Sequence, residues 1–142
     1  MSRIYLASSW RNPLQPSVVG LLQMAGHQVY DFRNPPNSSG FAWRDIGLDA
    51  KTCTAAEYRN ALLTHPRAAQ GFNADFAAMR WADTFLLLLP CGRSAHLELG
   101  WACSAGKRTL ILTQDGEEPE LMALLADKIC ISIEEVLEEL QT

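Results

Sequence analysis

"LLLLPCGRSAHLELGWA", residues 86–102, passes from an apolar run through a short polar loop into a second apolar stretch that carries one acid, Glu98. The run Thr84–Leu89 reads as a strand covered on both faces, as in a parallel sheet flanked by helices. Ser94–Ala105 reads as the helix that follows it. Outward from this unit the same alternation recurs. Arg3–Ala7 is a short strand, and after Asn12-Pro13 a helical pattern places Val18, Leu21, Leu22 and Ala25 on one face and closes at Gly26. His27–Phe32, Lys107–Thr113 and Lys128–Ile131 read as further strands. Thr54-Ala-Ala-Glu57 has the form of a capping box opening a helix to about Thr64, and Ser132-Ile-Glu-Glu135 is a second box. Pro66 is expected to start a short turn, residues 73–82 a helix, and Glu118–Ala126 another. Five strands alternating with helices predict an α/β, flavodoxin-like three-layer sandwich with a five-stranded parallel sheet in the order 2-1-3-4-5, as one domain over residues 1–142. "RNPPNSSGFAWRDIGLDAKTC", residues 33–53, has no period, and a loop of that length is more often functional than accidental.

In the order 2-1-3-4-5 chain direction reverses between the first and third strands, and ligands bind at the carboxyl ends beside such a switch point. The loops there read "SSWRN" and "PCGRS", each with an arginine and a serine. Ser94 is a good N-cap, which leaves the first amides of its helix partly positive. With Gly92 allowing close approach, Arg93 and Arg11 as fork donors and Ser9 as a hydroxyl donor, the pair of loops suits a phosphate. The plain alternative is an ordinary capped helix with surface arginines.

Composition narrows the partners. At 142 residues, 48% hydrophobic and a formal net charge of -4, the chain has material for one core and no overall electrostatic footprint for nucleic acid or an anionic membrane. Small ligands are the expected partners. Cys53, Cys91, Cys103 and Cys130 are scattered, without a CxxC pair, and no charged-then-apolar leader is visible, so the expectation is reduced thiols in a cytoplasmic protein. His27, His65 and His96 lack metal-ligand spacing, and neither a metal nor a cofactor is expected.

Glu98 shares its helical stripe with Ala102 and Ala105, while Leu97, Leu99, Trp101 and Cys103 occupy the other faces, so a solvated position is hard to draw for it. A carboxylate favoured by the helix N-terminus, worth about 0.3–1 kcal/mol, is the plain explanation; a nucleophile or base in the crevice is the sharper one. Asp75 is either a first-turn acid or a second carboxylate facing the crevice. Asp83 reads as a turn or cap residue and Tyr5 as a core tyrosine or a site group. Trp81 and Trp101 are read as core. Trp10 and Trp43 lie in loops where a ring could stack on a nucleobase or act as a lid.

Three segments, "IYLASSWRN" (4–12), "NADFAAMRWAD" (73–83) and "GRSAHLELGWACSAGKRTLIL" (92–112), resemble the nucleoside 2-deoxyribosyltransferase superfamily, including its 2′-deoxynucleoside 5′-phosphate N-hydrolase branch. The resemblance implies Glu98, within "LELGWA", as nucleophile, Tyr5 as its orienting partner and Asp75 as the group that holds or protonates the base. Ser9 and Arg11 fall on the family's phosphate-binding positions. It further implies a nucleoside or nucleotide partner and a homodimer or larger homo-oligomer. Two departures stand out. "PCGRS" has no acid where some members carry an aspartate, and "EELQT" lacks the asparagine that transferases use across a subunit interface. Two other classes fit the same residues: a non-catalytic nucleotide-binding sensor module, and a TIR-like NAD hydrolase.

Overall fold

The computed structural model describes residues 1–36 and 38–142; Asn37, in the long loop, lies outside the described residues. The chain forms two compact units, Met1–Asp31 with Met79–Thr142, and Phe32–Ala78.

In the first unit five strands, counted among the described residues, form one parallel sheet in the order β2-β1-β3-β4-β5. They are β1 (Arg3–Ala7), β2 (Gln28–Tyr30), β3 (Thr84–Leu88), β4 (Arg108–Leu112) and β5 (Lys128–Cys130). Every residue of β3 is buried, as its unbroken apolar run requires of a central strand. Ile4, Leu6, Leu86, Leu88, Leu110 and Cys130 point to one face. They meet Val18, Val19 and Leu22 of α1 (Gln15–Met24) and Val136 and Leu140 of α5 (Ile133–Leu140). The opposite face carries Tyr5, Phe85 and Leu87, alternate residues on the same strands, and is covered by α4 (Arg93–Ser104), which buries Ala95, Leu99 and Ala102. Helices on both faces make the expected three layers. At the amino ends of the strands, Asp83 accepts from the Arg3 amide at 3.2 Å and from Thr84 Oγ1 at 2.8 Å, the turn role expected of it.

Several expectations need correction. α1 buries Gln15, Val18, Val19 and Leu22, whereas Leu21 and Ala25 are exposed. The two stripes share Val18 and Leu22, with Gln15 and Val19 buried in place of Leu21 and Ala25, and the Gln15 Nε2 donates to Asp31 Oδ1 at 2.8 Å. Gly26 does end the helix, at φ +94°, and the His27 amide returns to the Leu22 carbonyl. The predicted helix 118–126 is a 3-10 turn over Leu121–Leu125. Leu121, Met122, Leu124 and Leu125 are all exposed, so no buried face holds a full helix there. Trp81 is 37% exposed and not core. Trp101 is half-buried, tilted against Phe85.

The second unit holds a 3-10 turn (Trp43–Ile46), α2 (Ala55–Thr64) and most of α3 (Pro66–Trp81). Thr54 and Glu57 form the predicted capping box. The short turn and separate helix expected after Pro66 are one helix of 16 residues. Pro66 is tolerated as its first residue, and His65 Nδ1 accepts the Arg67 amide at 3.0 Å in place of the usual hydroxyl cap. Gly71 does not break it. A Cβ there would lie 3.0 Å from Phe41 Cβ, so its absence serves close packing.

Candidate functional site

β1 presents Tyr5 between its two neighbouring strands, opposite Tyr30 on β2 and Phe85 on β3. The ring stacks on both, at centroid distances of 5.3 and 4.9 Å, and is 1% exposed. Held flat in this way, its hydroxyl donates a short hydrogen bond to Glu98 Oε2 on α4. Glu98 is half-buried, the sixth residue of its helix. A phenol that donates to a carboxylate orients it and stabilises its charge, as a positioned nucleophile or base requires. Nearby, burial pushes the Cys91 thiol up to about 11, with the charges of Glu117 and Glu98 adding to the effect. Cys91 is therefore neutral at physiological pH.

The loops after β1 and β3 meet. Ser8 Oγ donates to the Leu88 carbonyl at 3.0 Å, and Asn12 Nδ2 donates to the Pro90 carbonyl at 3.1 Å. Ser9, Trp10 and Arg11 thus share the carboxyl end of the sheet with Gly92, Arg93 and Ser94. Ser9 Oγ accepts the Arg11 amide at 3.2 Å, while Trp10, Arg11, Arg93 and Ser94 are exposed. Ser94 is not the N-cap. Gly92 is, with extended backbone and no side-chain cap, because helical geometry already begins at Arg93. The first-turn amides of α4 thus lack the hydroxyl partner that the sequence led us to expect. Nor is α4 buried on every side: Leu97 is 77% exposed.

Asp75 and Trp43 belong to the second unit. Asp75 is half-buried on α3; Trp43 packs edge-on against Phe41 and Tyr58 at 5.1 and 5.7 Å. In the first unit a cavity of about 680 Å³ is lined by Leu87, Leu99, Cys103, Ile111, Met122 and Leu125, none of them a predicted site residue. Among the described residues no group of three His, Cys, Asp or Glu could hold a metal ion, and no helix is long and apolar enough to cross a membrane.

No protein-family model matches the chain, and no curated protein matches its sequence. Solved structures do. A 2-deoxyribosyltransferase from Bacillus psychrosaccharolyticus superposes with a TM-score of 0.64 at 20% identity, over 94% of this chain and 89% of that one. The chain has the fold of a 2-deoxyribosyltransferase. The CMP N-glycosidase BcmB of Clostridium botulinum shares it with a TM-score of 0.55 and 17% identity over 98% of both chains. A conserved protein from Enterococcus faecalis V583 gives 0.62 and 16%, over 99% and 98%.

On this deoxyribosyltransferase fold, sequence reasoning missed Ser8 and Asn12, the residues that tie the loops together. Asn12 left a trace: Asn before Pro initiates turns, and its Oδ1 accepts the Leu14 amide at 2.9 Å in an Asx turn. Its partners across the sheet left none.

Proposed function

We propose that this protein cleaves or transfers the N-glycosidic bond of a nucleoside or nucleoside 5′-monophosphate, with Glu98 as nucleophile. The observation that carries this reading is the hydrogen bond from the stacked Tyr5 hydroxyl to Glu98 Oε2 at the carboxyl end of the sheet. Glu98 attacks the anomeric carbon as the C–N bond to the base breaks, giving a glycosyl-enzyme through an oxocarbenium-like state. Water or a second base then releases the sugar and regenerates the carboxylate. Tyr5 orients Glu98. Asp75 holds the departing base or supplies its proton. Arg11, Ser9, Arg93 and the amides around Ser94 hold the 5′-phosphate, with Gly92 giving it room, so that remote binding energy fixes the sugar over the acid. Trp10 offers a stacking ring for the base, and Trp43 serves as a lid.

The neighbours' chemistry supports the reading: one is a 2-deoxyribosyltransferase and another a CMP N-glycosidase. A homo-oligomer goes with it, supported by the exposed Leu97, Leu121, Met122 and Leu124. Sedimentation showing only monomer removes that part. The loop "PCGRS", without an acid, favours a second reading, a nucleotide-binding module that does not turn over. Incubation with nucleosides, nucleoside 5′-monophosphates and NAD, followed by chromatography for released base, separates them. Release that is lost in Glu98→Ala is expected. No release by the wild type, or undiminished release by the variant, overturns the enzyme. Tight binding without product selects the module, and nicotinamide release alone selects an NAD hydrolase.

A further inference from the structure

Asn12 is a polar side chain only 1% exposed, in a loop whose other members Trp10 and Arg11 face solvent. Burying a carboxamide is unfavourable unless its groups are bonded, and here they are. Nδ2 donates to Ser8 Oγ at 3.2 Å and to the Pro90 carbonyl at 3.1 Å, while Oδ1 accepts the Leu14 amide. Ser8 Oγ passes the link on to the Leu88 carbonyl. The Asn12 amide closes a turn on the Ser9 carbonyl at 3.0 Å, so Ser9, Trp10 and Arg11 are slung between two residues anchored to the far loop. The Pro90 carbonyl lies two residues before the Gly92 cap of the helix that carries Glu98. Gln15, equally buried, bonds Asp31 just after β2 through its side chain, and its amide donates to the Asn12 carbonyl at 3.3 Å.

We infer that Asn12 is a positioning residue that locks the β1 loop to the start of α4, so that the anion-binding groups and the Glu98 carboxylate keep one fixed separation. This rests on the nucleotide reading above. It contacts neither sugar nor phosphate. Its effect is on how well a 5′-phosphate held by the β1 loop places the sugar over Glu98. An error of about 1 Å in such placement costs on the order of 100-fold in rate.

The test compares wild type with Asn12→Ala on a nucleoside 5′-monophosphate and on the same nucleoside without phosphate. The ratio of kcat/KM between the two is expected to fall about tenfold or more, mainly through kcat on the monophosphate, with a cooperative thermal transition retained. A parallel fall on both substrates means that Asn12 serves only folding and overturns the inference. Should Asn12→Ala not fold, Ser8→Ala, which removes one of the two crossings, is read in the same way. If the wild type releases base from neither substrate the glycosidase reading fails, and calorimetry decides about Asn12. The monophosphate must then bind the wild type about tenfold more tightly than the variant, with nucleoside affinity unchanged. Equal affinities, or no phosphate-dependent binding by the wild type, overturn it.

Discussion

The unit that carries the sheet and the unit Phe32–Ala78 are held together in different ways. In the first, helices pack on both faces of a strand with no exposed residue, and the fully buried polar groups Asn12, Gln15 and Thr109 have long-range partners. In the second, α2 buries none of its residues. Cohesion there comes from edge-on rings and from Arg67, whose Nη2 donates to the carbonyls of Ser39 and Gly40 and whose guanidinium lies 5.5 Å over Phe41. A stiff frame suits groups that must keep fixed distances, as the Tyr5–Glu98 pair does. A unit built from rings and exposed helix suits contacts that adapt.

That contrast is open to attack by substitution. Glu98→Gln keeps the size of the side chain and its bond from Tyr5 while removing the negative charge; base release is expected to fall by on the order of 10³-fold or more in steady-state assays, with an unchanged melting temperature. Activity within tenfold of wild type breaks the assignment of chemistry to the frame. Leu22→Ala, at a site with 0% exposure, is expected to cost about 2–5 kcal/mol in denaturant unfolding. Leu63→Ala on α2, where the side chain is 74% exposed, stays within about 0.5 kcal/mol. Equal costs would mean that α2 is covered in solution.

The same contrast explains what was legible in the sequence. β3 declared itself because a strand buried on both faces cannot hide its composition, and from it the order of the sheet followed by the rules of parallel crossovers. The Thr54–Glu57 box closed in full, being a matter of four consecutive residues. The Ser132–Glu135 box closed only in part: Ser132 accepts the Glu135 amide, yet Glu135 Oε2 takes the Ile131 amide. In sequence α3 reads as two pieces because Pro66 looks like a break when the His65 cap is not visible. Glu98 stood out as a lone acid among apolar residues. Its bond to Tyr5, 93 residues away in sequence, entered only through a resemblance, and the Asn12 junction not at all, because spacing carries no record of a partner on another strand.

Two smaller effects sharpen the picture. Tyr5→Phe preserves the stacking on Tyr30 and Phe85 and removes only the donor to Glu98, so kcat is expected to fall about 10–100-fold while stability shifts by about 1 kcal/mol. A loss of stability without loss of rate would make Tyr5 a core residue and nothing more. The smallest effect belongs to His27, at the start of the turn into β2, whose Nδ1 accepts the Ser2 amide at 3.0 Å. Burial holds its pKa below the ordinary imidazole value, the charge of the chain's N-terminus adds to this, and Asp83 opposes it. The unfolded chain therefore takes up the proton first as pH falls, at about 6.5, and stability is lost from there down through the lower folded pKa, below which the loss is complete. Protonation also removes the acceptor from Ser2. Melting temperatures measured from pH 8 to pH 5 should decline less steeply below about pH 6.5 in His27→Gln than in the wild type. Parallel curves would show that the imidazole carries no such linkage and that the acid sensitivity of the frame arises at its carboxylates.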